Sequence, residues 1–329
     1  MSAADLRIGT SGWNYPTGRG TWNGVFYPPS RGRARGFDEL SFYAEHFNTV
    51  EVNSTFYGQP RPEVARAWAA RTPPGFEFSV KLYQKFTHPR MFKQAYVKGV
   101  ATGDAEAERL LDVLARPNQS DLDDFKRGVD PLASSGKIGA LLAQFPPSFK
   151  SDGPSRDYLA WLLHAFAGHS VAVELRHSTW SDALGDTLAL LNEWGAALVQ
   201  IDEPKFRLSI RQNQLPNIRS FYYMRLHGRN AAQWWTHDKA EDRYNYLYSS
   251  AETSEFAETL DAAREIVRKA YLYTNNHFSA KSVANAAMIK KQLGEPLEGE
   301  YSEAFLARYP EVAGTSAASS YRSGNTSNK

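Results

Sequence analysis

Val171-Ala172-Val173-Glu174-Leu175-Arg176 runs through small and β-branched apolar residues and ends in a carboxylate and a guanidinium. The same design recurs in Thr49-Val50-Glu51-Val52-Asn53, Phe78-Ser79-Val80-Lys81, Leu198-Val199-Gln200-Ile201-Asp202 and Tyr223-Met224-Arg225-Leu226-His227. A near-continuous apolar run reads as a strand buried on both faces, the signature of a parallel sheet covered by helices. Polar residues at the carboxyl end of each run then collect at one mouth of the sheet, where such folds assemble ligand sites.

Working outward from these runs, strands are predicted at 6–8, 48–53, 76–81, 140–144, 171–176, 197–202, 221–227 and 270–275. Helical spacing lies between them at 37–47, 62–70, 155–166, 182–194, 252–268 and 279–292. Right-handed strand-helix-strand connections place such strands in parallel with their helices outside. The expected fold is therefore α/β, a TIM-like (β/α)8 barrel, since closure leaves no exposed edge strand. A doubly wound sheet is the weaker alternative, because Gly18-Arg19-Gly20 is an incomplete and misplaced version of the dinucleotide-binding loop. Residues 82–136 form an expanded loop-helix excursion after the third strand, with helices at 105–114 and 122–132, and carry too little apolar sequence for a core of their own. Residues 1–309 thus read as one domain, and 310–329, rich in Ser, Thr, Asn and Gly, as a flexible tail.

The chain has 329 residues, no cysteine, and 38 basic against 36 acidic residues for a net charge of +2. Absent cysteine removes disulfides, thiolate metal sites and thiol nucleophiles, and fits a cytoplasmic protein. The balanced charge gives no global case for nucleic-acid binding, although Arg31, Arg33 and Arg35 make a local basic loop. No apolar run approaches the roughly 20 residues that span a bilayer, so no membrane partner is expected.

Glu51, Glu174 and Asp202 are the candidate acids and bases, because two converging carboxyls can be driven apart in proton affinity by burial and mutual repulsion. His227 is an alternative proton carrier. The same four can ligate a divalent ion, but no compact metal motif accompanies them, and a structural network of salt bridges explains them equally well. Lys81, Arg176 and Arg225 suit an anion clamp. Asn53, Asn275 and Asn276 offer amides to a polar ligand, with His277 beside them. Trp13, Trp22, Tyr57 and Trp180 are placed in mouth loops where they can stack on a ring, and Trp234-Trp235 reads as a lid or an anchor. No phosphate-binding loop, nucleophile elbow or cofactor motif is present, so the cofactor stays unassigned.

Several motifs together resemble the YecE-like family (domain of unknown function 72). They are Gly9-Thr10-Ser11-Gly12-Trp13, Phe26-Tyr27-Pro28, Glu51-Val52-Asn53-Ser54-Thr55-Phe56-Tyr57, Gln144-Phe145-Pro146-Pro147-Ser148-Phe149, Val173 to Trp180, Arg225-Leu226-His227-Gly228 and Asn275-Asn276. The resemblance implies a TIM-barrel fold over about residues 6–294 and implies no particular reaction. The chain departs from the family in the enlarged 82–136 region and in His277-Phe278, where related chains look more acidic and glycine-rich. The functional expectation is a hydrolase acting on a polar carbohydrate or phosphorylated small molecule. A noncatalytic nucleotide- or nucleic-acid-binding module and a ligand-sensing or structural barrel are the alternatives.

Overall fold

A computed structural model describes residues 4–31, 33–97, 105–212, 220–234 and 240–313. Its strands are β1 (Asp5–Ser11), β2 (Thr49–Val52), β3 (Glu77–Lys81), β4 (Ile138–Gln144), β5 (Ser170–Glu174), β6 (Ala197–Leu198), β7 (Gln200–Asp202), β8 (Tyr222–Leu226) and β9 (Lys269–Thr274). All pairings are parallel, in the order β6-β5-β4-β3-β2-β1-β9-β8-β7. Helices lie between successive strands except, among the described residues, from β6 through β7 to β8, and the result is an α/β, TIM-like, nearly closed barrel.

The predicted sixth strand is broken at Val199, which is why nine strands stand where eight were expected. Ala197–Leu198 pairs with β5 and Gln200–Asp202 pairs with β8, so the chain itself bridges the seam. Backbone groups exposed by this change of partner need other hydrogen bonds. Gln212 supplies them, its side-chain amide donating to the Val199 carbonyl at 2.7 Å and accepting from the Ile201 N–H at 2.9 Å.

Alternation of side chains along each strand fills the lumen with polar groups. Near the amino ends, Tyr271 donates to Glu77 at 2.7 Å. One layer up, the Tyr273 hydroxyl donates to Ser79 at 2.9 Å and meets Thr49 at 2.6 Å. The layer above holds Glu51, Tyr223, Arg225 and Glu174, all buried. The lumen is a hydrogen-bonded column, and the apolar core surrounds it between strands and helices.

Local signals set the helix starts. Asp38 caps Glu39–Ala44, Asp152 caps Gly153–Ala165 with Pro154 in its first turn, and Ser249 with Glu252 forms a capping box on Ser250–Arg264. The helix predicted at 182–194 is Leu184–Glu193, preceded by a short helix, Thr179–Asp182, that was not predicted. A further helix, Glu303–Arg308, follows the barrel and buries Phe305. Of the predicted tail, residues 310–313 are described and Val312 is buried; 314–329 lie outside the described residues. No helix among the described residues is long and apolar enough to cross a membrane.

The excursion after β3 folds as Gln84–Thr87, Pro89–Val97, Ala105–Leu114 and Gln119–Ser134, and the last of these buries Leu122, Phe125, Val129 and Leu132 against the barrel. Gly128 permits this docking, since a Cβ there would overlap the Pro60 carbonyl. Gly128→Ala is expected to lower stability by about 1–3 kcal/mol, the usual cost of overpacking against a rigid neighbour. A denaturant midpoint equal to wild type would show that this contact is not close-packed.

Candidate functional site at the barrel mouth

Period-two alternation brings Glu51 from β2, Lys81 from β3, Gln144 from β4, Glu174 from β5 and Arg225 from β8 to the carboxyl end of the barrel. Arg176, His227 and Asn275 lie just past their strands. Arg225 sits at the centre. Its Nε and one terminal nitrogen donate to the two Glu51 oxygens at 2.9 and 2.7 Å, and the other terminal nitrogen donates to Glu174 at 2.5 Å and to Gln144 at 3.2 Å. Glu51 also accepts from Ser11 at 2.6 Å and Tyr223 at 2.7 Å. Arg176 donates to Glu174 from Nε at 2.8 Å and to Glu203 at 2.5 Å.

Electrostatics follow from this wiring. Burial alone would push the Glu51 and Glu174 carboxyls upward, but the guanidinium of Arg225 beside Glu51, and those of Arg176 and Arg225 beside Glu174, overcome it and hold both below the usual range. His227 is lowered to about 4, first by burial and then against the attraction of Glu174. One ring nitrogen, Nε2, lies 3.2 Å from an Arg176 nitrogen, and a guanidinium only donates. The Asn275 Nδ2 is 2.9 Å from Nδ1, and a Glu174 oxygen is 3.6 Å from Nε2.

Above this layer opens a cavity of about 300 Å³. Lys81, Arg176, Arg225, Gln144 and His227 border it from the barrel, with Asn53, Asn275 and His277, while Tyr15, Tyr57, Trp234, Arg243 and Tyr244 wall it from the loops. Four of these residues are cationic and none is a carboxylate. Lys81 donates to Gln144 at 2.8 Å, and its ammonium sits 4.3 Å from the Phe56 ring centre. Its pKa is lowered to about 7, first by burial and then by Arg225. Arg176 and Trp234 also border a second cavity of about 370 Å³, with Glu203, Phe206 and Leu208 on its walls.

Several expected site residues stand elsewhere. Asp202 does not border the central cavity: Arg229 holds it through three contacts of 2.9 to 3.1 Å, and Tyr248 donates to it at 2.8 Å. Glu51 and Glu174 are fully buried behind the guanidinium groups and have no face on the cavity. Trp180 is turned inward, stacked on Phe149 with its Nε1 donating to the Phe149 carbonyl at 2.8 Å. Trp13 packs edge-on against Trp68, and Trp22 donates to the His277 carbonyl at 2.7 Å; both lie outside the cavity. Asn276 is buried and ties Tyr246 to Asn285 at 2.7 and 2.8 Å. Trp235 lies outside the described residues. Among the described residues no three His, Asp or Glu side chains converge as metal ligands.

Sequence reasoning missed Tyr15, Gln144, Glu203, Arg243 and Tyr244. Gln144 had a usable signal, since it ends a strand two residues past Leu142 as Lys81 does past Ser79. Tyr15 and Tyr244 had none, because loop aromatics carry no periodicity. Tyr15 stacks on His277 at 4.3 Å and 9° and so makes one wall with the loop after β9.

The family model described as "Protein of unknown function DUF72" matches residues 7–307. This chain belongs to that family. Among curated proteins, the UPF0759 protein YunF of Bacillus subtilis is 26% identical over 308 residues, 90% of this chain and 96% of its own length. The UPF0759 protein YecE of Escherichia coli is 42% identical over 144 residues, 43% of each chain. A DUF72 family protein from Thermotoga maritima aligns with a TM-score of 0.71 at 29% identity, covering 88% of this chain and all of that one. One from Enterococcus faecalis aligns at 0.70 with 21% identity, covering 91% and 100%, and supports the fold. DUF72 membership thus agrees with the barrel, and the family description names no reaction.

Proposed function

We propose that the barrel mouth binds a small phosphorylated metabolite. One observation carries this reading: four cations and no carboxylate border the central cavity among the described residues. A guanidinium has five N–H donors and an ammonium three. The bonds named above, with a second Arg176 bond to Glu174 from a terminal nitrogen, occupy four hydrogens of Arg176, four of Arg225 and one of Lys81. Each arginine retains one donor and Lys81 retains two, a set suited to phosphate oxygens. Tyr15, Tyr57 and Tyr244 offer faces to the body of the ligand, sugar or otherwise.

Hydrolysis through Glu51 and Glu174 does not belong to this reading, because their oxygens already accept from Arg225, Arg176, Ser11 and Tyr223. Glu203 is a carboxyl that borders the second cavity, and burial raises its pKa. The nucleic-acid alternative draws less support. Arg33 is paired with Glu39 at 3.1 Å, and none of Arg31, Arg33 and Arg35 borders the cavity. A cytosolic setting accords with a phosphorylated ligand and a cysteine-free chain.

Calorimetric titration with inorganic phosphate tests the reading. A bound anion favours charged Lys81, so its pKa rises and the complex takes up a proton above pH 7. At pH 8 the apparent binding heat should therefore vary with the ionisation heat of the buffer. Saturable binding with proton uptake, weakened at least about tenfold in Lys81→Met, is expected for one lost charge-assisted contact. Absence of saturable binding would overturn the proposal.

A further inference from the structure

Lys81 differs from the other cations at the mouth. Arg176 and Arg225 each hold carboxylates directly, whereas among the described residues Lys81 has no carboxylate within 4.0 Å. Its hydrogen-bond partner is the neutral Gln144 side chain, its flank is the Phe56 ring, and it opens on the cavity. The groups around it are Arg225 and Arg176, which disfavour an ammonium, Glu174 and Glu51, which favour it from behind the guanidiniums, and His88, itself lowered to about 4 by burial and then by Lys81. An amine desolvated by burial and placed beside other cations is in the arrangement that keeps lysine unprotonated and nucleophilic.

We propose that Lys81 attacks the carbonyl carbon of a small phosphorylated aldehyde or ketone and holds it as an imine. The proposal rests on the phosphate reading and adds the reactive half of the ligand. The Nζ lone pair forms the new C–N bond while the carbonyl electron pair moves to oxygen, which takes a proton from the attacking nitrogen. A second proton, from solvent, then releases that oxygen as water and leaves a protonated imine, whose remaining N–H proton returns to solvent. The balance is one amine and one carbonyl giving one imine and one water, with no change of oxidation state. Gln144 can accept a hydrogen bond from either the amine or the protonated imine, so its position suits both ends of the step. Arg176 and Arg243, bordering the same cavity, remain for the phosphate.

The test is reductive trapping on the full chain at pH 7 with dihydroxyacetone phosphate and borohydride, read by peptide mass mapping. Hydride adds to the imine carbon and leaves a stable secondary amine. At that pH about half of Lys81 is uncharged in the unliganded chain, against roughly one in 2,500 for a lysine of ordinary pKa ~10.4, so modification at Lys81 should exceed that at surface lysines by up to roughly 10³-fold. Inorganic phosphate should suppress it, and Lys81→Arg should abolish it while other lysines react as before. An adduct spread evenly over lysines, or none at Lys81, would overturn the imine even if phosphate binds. Trapping at Lys81 as efficient with dihydroxyacetone as with its phosphate, and insensitive to inorganic phosphate, would instead retire the phosphate reading and leave the imine standing.

Discussion

Arg225→Met is expected to lower the free energy of unfolding by roughly 3–5 kcal/mol at pH 7, the range seen when one partner of a buried ion pair is removed. Arg225 is 1% exposed and is the shared counter-ion of two carboxylates that are themselves inaccessible. Methionine fills similar volume, so the loss reports charge more than a cavity. The pH dependence gives the mechanism away. In the wild type, Glu51 and Glu174 have depressed folded-state values, so the stability they contribute is complete above the unfolded carboxyl value near 4.3 and is lost as pH falls through their folded values. In Arg225→Met the Glu51 carboxyl is buried without its main partner and moves upward, so protonation now relieves strain on folding. The gap between variant and wild type should therefore narrow as pH falls from 7 to about 4. Denaturant titrations at several pH values measure this. A loss below about 1 kcal/mol, or a gap independent of pH, would show that Arg225 does not neutralise these acids.

This buried network explains which parts of the molecule could be read from the sequence. Strands were legible because an apolar run ending in polar residues is a local pattern, and the barrel follows from their number and spacing. Face assignment was also legible: Arg225 and His227, or Glu51 and Asn53, share a side by alternation. Partnering was not. Glu51 meets Arg225 across the lumen, 174 positions away in the chain, and alternation carries no information about which radial neighbours touch. Asp202 and Glu203 show how small the margin is. They are adjacent, yet Asp202 is claimed by Arg229 while Glu203 borders a cavity, since neighbouring residues of an extended segment point to opposite sides. Trp180 looked like a mouth residue by its place after β5, but the short helix Thr179–Asp182 turns it into the core. Loop backbone is set by individual contacts, such as Tyr309 donating to Ser279 at 2.5 Å where Ser279 and Ala280 adopt positive φ of 53° and 61°, a conformation no residue pattern announces there.

Lys81→Met should stabilise the fold while removing its ligand chemistry. A group whose charged form is disfavoured in the folded state subtracts stability, and replacing such a functional residue commonly returns about 0.5–2 kcal/mol. The sign with pH is fixed by the two protonation equilibria. Lys81 titrates near 7 in the folded chain and near 10.4 when unfolded, so the unfolded state binds more protons between those values. Its destabilising effect is complete below pH 7 and fades as pH rises toward 10. The stability gain of Lys81→Met should accordingly be largest at pH 6 to 7 and vanish near pH 10, with phosphate binding and imine trapping both lost. Loss of stability at pH 7, or a gain that grows with pH, would mean that Lys81 is a satisfied structural cation. The opposite signs of Arg225→Met and Lys81→Met thus separate two jobs within one cluster: arginines that neutralise buried acids and build the mouth, and a lysine kept at a thermodynamic cost for what it does there.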